Sequence, residues 1–241
     1  AMRARESITL PAQFNGPPGS GNGGYSAGLL AQHLDGPHTI RINAPIPLET
    51  PLKVERDGDN TLLSSGETLI MTARPEAPSI EPRPAPSFEA AKKASEHPRP
   101  FGAGELSVCF VCGRGREAGE GLRIFCGRLE DPETAATIWT PHETFADDDG
   151  LVRPEIIWSA LDCPGGFSLP DVDRALLGEM NANILERPPV GEPLIIASWR
   201  TGGKGRKHFA GTALYTADGE LLAHADTLWF AVDTAQFEAN A

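Results

Sequence analysis

Asp162 is a carboxylate in a stretch of this chain where a carboxylate is costly to keep. The stretch runs Gly150-Leu-Val-Arg-Pro-Glu-Ile-Ile-Trp-Ser-Ala-Leu-Asp162-Cys-Pro-Gly-Gly166. Ile156, Ile157, Ala160 and Leu161 predict a short helix that is apolar on most of its surface and must therefore be buried. Pro154 falls in the first turn, where no N–H is needed, and Pro164-Gly165-Gly166 predicts the stop. Burying an unpaired carboxylate there is strongly unfavourable, so Asp162 either reaches an exposed edge or lines a functional site.

A second stretch offers donors. Phe14-Asn-Gly-Pro-Pro-Gly-Ser-Gly-Asn-Gly-Gly24 is a glycine-rich loop that runs into Tyr25-Ser-Ala-Gly-Leu-Leu-Ala31. Free N–H groups at a helix start point outward and attract negative charge. No Lys-Ser/Thr follows, and the preceding strand is short and distant, so the loop is neither a phosphate-loop nor a dinucleotide fingerprint. A plain flexible loop also accounts for it. Cys109 and Cys112 have zinc-ligand spacing, but a structural zinc needs four ligands, and Cys126 and Cys163 form no second Cys-x-x-Cys pair. No metal is expected; these cysteines read as a turn packed on the core. Asp147-Asp148-Asp149, ahead of a helix start, read as dipole partners. Arg200, Lys204, Arg206 and Lys207 crowd one short segment, either as a solvated turn or as a grip on phosphate.

The chain that must position these groups has 241 residues, 40% of them hydrophobic, enough for one large domain or two small fused ones. A net charge of -12 argues against a nucleic-acid or anionic-membrane binder. No apolar run approaches bilayer length, and Met2-Arg-Ala-Arg-Glu leads into no signal-peptide core. Four cysteines do not make a disulfide framework at this size, so the cytoplasm is the expected compartment.

Residues 1–74 read as strand, buried helix and then a run of strands: Ser7–Leu10, a helix over about Gly24–Leu34, Thr39–Asn43, Leu52–Arg56, Thr61–Leu63 and Thr68–Thr72. Residues 75–104, with seven prolines, read as a stiff linker with a helical turn at Phe88–Ser95. Residues 105–241 continue with a strand at Gly121–Phe125, another at Thr134–Trp139, the Asp162 helix and an inserted helix at Asp171–Asn181. They end in a meander over Leu194–Trp199, Lys207–Tyr215 and Glu220–Val232. Pro189-Val-Gly-Glu-Pro193-Leu194 echoes Pro47-Leu-Glu-Thr-Pro51-Leu52, so the second set of strands repeats the first.

Val152–Gly166 resembles the central helix of hotdog-fold acyl-CoA thioesterases, in which a His/Asn-Gly-Gly turn opens the helix and an acid follows the second glycine by seven positions. Asp162 follows Glu155 by seven, but Arg153-Pro154-Glu155 stands in place of the glycines. Asn22-Gly23-Gly24 supplies the turn, and there position seven is Ala31. One motif is thus divided between two halves. Cys-Phe-x-Cys-Gly followed by Gly121-Leu122 is likewise similar to the opening of several such thioesterases. The resemblance implies an α+β double hotdog, with two antiparallel sheets each wrapped around a central helix.

It also implies an acyl-thioester hydrolase, with acyl-CoA as substrate and no cofactor beyond that coenzyme A. Gly24 N–H would hold the developing oxyanion, and Asp162 would act as general base or as nucleophile. Asn22 and Thr227 would support them, Thr227 standing where related proteins position water. Gly23, Tyr25, Trp158 and the cations Arg200, Lys204, Arg206 and Lys207 would contact substrate. His224 and Ser159 read as structural. The implied partner is a small-molecule acyl thioester, with a homo-oligomer of such chains left open. A non-catalytic acyl-CoA binder remains as an alternative. A hydratase is weaker, because it needs a histidine beside the acid, and residue 167, five past Asp162, is Phe167. One working site per chain is expected, since Pro154 has no N–H and Ala31 carries neither base nor nucleophile.

Overall fold

The computed structural model describes residues 6–101 and 107–232. In chain order the elements are β1 (Ser7–Ile8), α1 (Gly23–Ala31), β2 (His38–Ile42), β3 (Leu52–Asp57), β4 (Asn60–Ser65), β5 (Thr68–Pro75) and α2 (Phe88–Ser95). They continue with β6 (Gly127–Arg128), β7 (Thr134–Trp139), α3 (Pro154–Ala160), α4 (Cys163–Phe167), β8 (Ala175–Ile184), β9 (Leu194–Lys204), β10 (Lys207–Thr216) and β11 (Leu221–Ala231). Among the described residues, no helix is long and apolar enough to cross a membrane.

The α+β class expected from the sequence is found, with a difference in the sheet. Instead of two sheets there is one antiparallel sheet of eleven strands, ordered β1-β3-β4-β5-β2-β8-β11-β10-β9-β7-β6. The two sets of strands fuse at a narrow seam between β2 and β8, where only Ile40↔Met180 and Arg41↔Glu179 are paired. Side chains reinforce it. Arg74 donates to both oxygens of Glu179 at 3.1 and 3.3 Å, and Asn181 Nδ2 donates to Thr39 Oγ1 at 3.1 Å and to the Glu76 carbonyl at 2.8 Å.

β8 overturns the helix expected at Asp171–Asn181. Ala175, Leu176, Leu177, Glu179 and Met180 are good helix formers, but pairing with β11 along nearly the whole strand overrides that local preference. No strand forms at Gly121–Phe125 either; that segment is irregular and leads into the two-residue β6. The Asp162 helix is also divided. α3 ends at Ala160, and Pro164 does not stop the chain but sits in the first turn of α4.

α1 and α3 lie antiparallel and in contact in the interior. Gly24 abuts Asp162, Gly28 abuts Glu155 and Trp158, and Gln32 Nε2 donates to Glu155 Oε2 at 3.1 Å. Both helices are apolar around most of their circumference because both are enclosed by the sheet and by each other.

The proline-rich stretch lies against the protein. Asp226 accepts from Ser79 N–H (2.6 Å), Ser79 Oγ (3.1 Å) and Ile80 N–H (3.1 Å), and the Arg83 guanidinium stacks 5.5 Å over Trp199. α2 then buries Ala91 against Ala136, Ile195, Ala197, Trp199, Ala213 and Tyr215. This explains why β9 is buried along both faces from Leu194 to Trp199: α2 and the strap cover one face, the interior helices the other.

Candidate active site between two helices

The start of α1 is set by Asn22. Its backbone is extended (φ -64°, ψ 132°), and its Oδ1 accepts the Tyr25 N–H at 2.9 Å as an N-cap. The Gly24 N–H, one residue earlier, crosses to the other helix and donates to Asp162 Oδ2 at 2.9 Å. Asp162 can meet it because the chain breaks there (φ -80°, ψ -85°), which turns the residue out of α3 before α4 begins. Thr212 Oγ1 caps the freed Leu161 carbonyl at 2.7 Å. Gly24 must be glycine: a Cβ would lie 2.5 Å from Asp162 Cβ and 2.9 Å from the Trp158 carbonyl oxygen.

Asp162 is 2% exposed, and its Oδ1 has no hydrogen-bond partner among the described residues. Burial dominates its ionisation and pushes its pKa up to about 7, while the Gly24 N–H and, more weakly, the Asn22 side chain favour the charged form. The carboxylate forms part of the wall of a cavity of ≈ 740 Å³. The wall also includes Asn22, Gly23, Ile42, Leu176, Trp229 and Phe230. A mostly apolar cleft of this size with a few convergent polar groups is the usual form of a small-molecule site.

The structure therefore brings Asp162, Gly24, Asn22 and Gly23 together. It does not bring the other expected residues to the cavity wall, with one exception. Tyr25 is stacked on Phe14 at 3.9 Å and set edge-on to Phe110, inside the core. Trp158 is 5% exposed and packs over Gly28. Thr227 is buried, donating to the Ala210 carbonyl at 2.9 Å and accepting from Trp229 Nε1 at 2.9 Å, so its one donor proton is committed to the sheet. Arg200 pairs with Glu133 at 3.0 Å, and Lys204 and Lys207 face each other across the β9–β10 hairpin. Arg206 is the exception. It borders the cavity, with its Nε donating to the Ala231 carbonyl at 3.2 Å.

The opposite end of the helix pair is built differently. Glu155, 7% exposed, is held by Gln32 Nε2 at 3.1 Å and by Arg153 Nε at 3.2 Å, so its oxygens serve the helix contact.

The cysteines need a revision. Cys109 and Cys112 do not stand as an isolated pair: Cys163 joins them, and the three sulfurs lie within 4.8 Å of one another, all buried and all on the cavity wall. Sequence reasoning missed this because Cys163 is 54 residues from Cys109. Its position directly after Asp162 was the available signal.

No protein-family model and no curated protein matches the sequence. Among solved structures, the chain is similar to a provisionally assigned thioesterase from Novosphingobium aromaticivorans DSM 12444, with a TM-score of 0.62 and 14% identity over 95% of this chain and 96% of that one. It is similar to a provisionally assigned thioesterase II from Thermobifida fusca YX, with a TM-score of 0.59 and 17% identity over 96% and 93%. It is also similar to the tesB protein of Mycobacterium avium subspecies paratuberculosis, with a TM-score of 0.56 and 15% identity over 93% and 91%. The chain has the hotdog thioesterase-like fold over nearly its whole length.

Proposed function

We propose that this protein hydrolyses acyl thioesters, with acyl-CoA as the favoured substrate, at the Gly24–Asp162 junction. The observation that carries the reading is the 2.9 Å bond from a helix N-terminal amide to a buried carboxylate of the other helix, at the wall of an apolar cavity. Asp162 Oδ2 stands on the Gly24 N–H in the place a thioester carbonyl oxygen would take. On binding, the carbonyl oxygen replaces Asp162 Oδ2 on the Gly24 N–H, where the helix dipole adds to the stabilisation of the oxyanion. Asp162 then takes the proton of a water that attacks the carbonyl carbon, or attacks that carbon itself to give a mixed anhydride that water opens. In the first route the carbon–sulfur bond breaks as Asp162 passes that proton to the leaving thiolate; in the second the thiolate leaves as the anhydride forms and takes its proton from water. Each chain carries one such site, because Pro154 and the bonded Glu155 occupy the equivalent place at the other helix start.

Release of free thiol from a panel of acyl-CoAs of different chain length tests the reading. Turnover above the background of heat-denatured protein supports it. Tight binding of the same compounds without thiol release would replace it with an acyl-CoA binding role, in which the Gly24–Asp162 bond only joins the helices.

Arg206 sharpens the choice of carrier. It is the member of the four-cation segment that reaches the cavity, and coenzyme A carries phosphates that a guanidinium binds well. Arg206→Gln should raise KM for CoA thioesters about tenfold, the scale of one charge-assisted hydrogen bond. KM for a short thioester lacking the nucleotide should stay unchanged. Equal effects on both would remove Arg206 from nucleotide recognition.

A further inference from the structure

Cys109 and Cys112 lie on one tight turn, and Cys163 opens α4. Cys109 Sγ and Cys163 Sγ are 3.9 Å apart, and all three residues are 5% exposed or less. With metal–sulfur bonds of ~2.3 Å in a tetrahedron, two ligating sulfurs lie about 3.8 Å from each other. The Cys109–Cys163 distance is close to that value, and all three sulfurs lie within 4.8 Å of one another.

The turn around Cys109 is shaped for the same purpose. Asn22 Nδ2 approaches the Cys109 sulfur at 3.8 Å. A donor aimed at a sulfur helps hold it in the orientation that ligates metal. Gly113 closes the turn through its N–H to the Cys109 carbonyl at 2.9 Å. A Cβ at that position would lie 2.3 Å from the Cys109 oxygen and 2.5 Å from the Ser107 oxygen, so only glycine permits so close a fold. Cys126 is equally buried but stands outside the cluster, so burial of cysteine in this core does not by itself produce the grouping.

We propose that Cys109, Cys112 and Cys163 bind one zinc ion per chain, with a non-sulfur ligand on the cavity side completing the tetrahedron. Thiolate ligands select zinc over magnesium and calcium. The three cysteines share the cavity wall, so the fourth position faces the cavity, where a water oxygen can complete the tetrahedron. An ion there ties the 109–113 turn to the helix break that presents Asp162. The proposal does not depend on the thioester reading, since metal is measured without substrate.

The test uses the reduced full chain, stripped of metal with a chelator and titrated with zinc against a chromophoric competitor, then with cobalt. One equivalent of zinc per chain is expected, and cobalt should give the intense near-ultraviolet sulfur-to-metal absorption of a thiolate site. Cys112→Ser and Cys163→Ser should each weaken zinc binding a hundredfold or more and reduce that absorption, while Cys126→Ala should bind as the parent does. Circular dichroism checks that the variants are folded; if a cysteine variant does not fold, the parent chain decides. A folded parent that binds no zinc in competition, or gives cobalt spectra without sulfur absorption, overturns the proposal. So does zinc binding that survives intact in folded Cys112→Ser and Cys163→Ser.

Discussion

Asp162→Asn should yield a folded protein whose kcat on acyl thioesters is lower by about 10²–10⁴, the usual range for losing a general acid–base group. The substitution keeps size and shape, and the amide oxygen still accepts the Gly24 N–H, so the helix contact that now spans 2.9 Å persists. Thermal stability should not fall. Removing a charge from a site that is 2% exposed relieves desolvation and offsets the weaker hydrogen bond. The informative readout is the split: kcat drops while KM and Tm hold. Near-parental hydrolysis in a folded Asp162→Asn chain would remove the carboxylate from the chemistry and leave it as a helix-joining group.

Gly28→Val carries the largest expected effect on stability. At Gly28 a Cβ would lie 2.8 Å from Glu155 Cα and 2.8 Å from Trp158 Cβ, so backbone as well as side chain stands in the way. A distal side chain swings aside cheaply, but a Cα moves only with its helix. Overpacking of this kind costs about 1–3 kcal/mol and sometimes more. For a chain of this length that is roughly 2–12 °C in Tm, at 2–4 °C for each kcal/mol. Because α1 and α3 must separate to admit the side chain, the Gly24–Asp162 bond lengthens too, and kcat should fall together with Tm. A variant with unchanged or raised Tm would show that the two helices are not in the close contact described.

The parts of the site carried by local chemistry were legible in the sequence. Asn22-Gly23-Gly24 is readable as a turn that opens a helix, and Asp162 as a carboxylate in a helix too apolar to leave in solvent. What could not be read was the company each residue keeps. Tyr25 directly follows Gly24, and a helix turns 100° per residue, so its ring points into the core, while Trp158, one turn before Asp162, packs over Gly28 of the other helix. Thr227 is polar, yet only the fold reveals that its hydroxyl bonds Ala210 and Trp229. β8 was misread because its residues favour a helix in isolation, and only the partners on either side, β2 and β11, make it a strand. The union of the two sheets rests on that same strand and was hidden for the same reason.

The strap has a consequence for how copies of this chain behave when crowded. Everything that joins the two sets of strands, from Arg74–Glu179 to Gly24–Asp162, links groups that a second molecule would offer in identical form. Such a protein is a candidate for domain swapping, in which two chains exchange halves and each assembled unit is complete. The chain between the halves works against the exchange. Glu76 is tied to Pro37 on one side through its N–H at 3.1 Å and to Asn181 on the other through its carbonyl at 2.8 Å. Three positions later, Ser79 is fixed to Asp226. A covalent connection raises the effective concentration of one half around the other above what another molecule reaches in dilute solution. A connection stiffened by prolines and held against the protein also limits how far the halves can part.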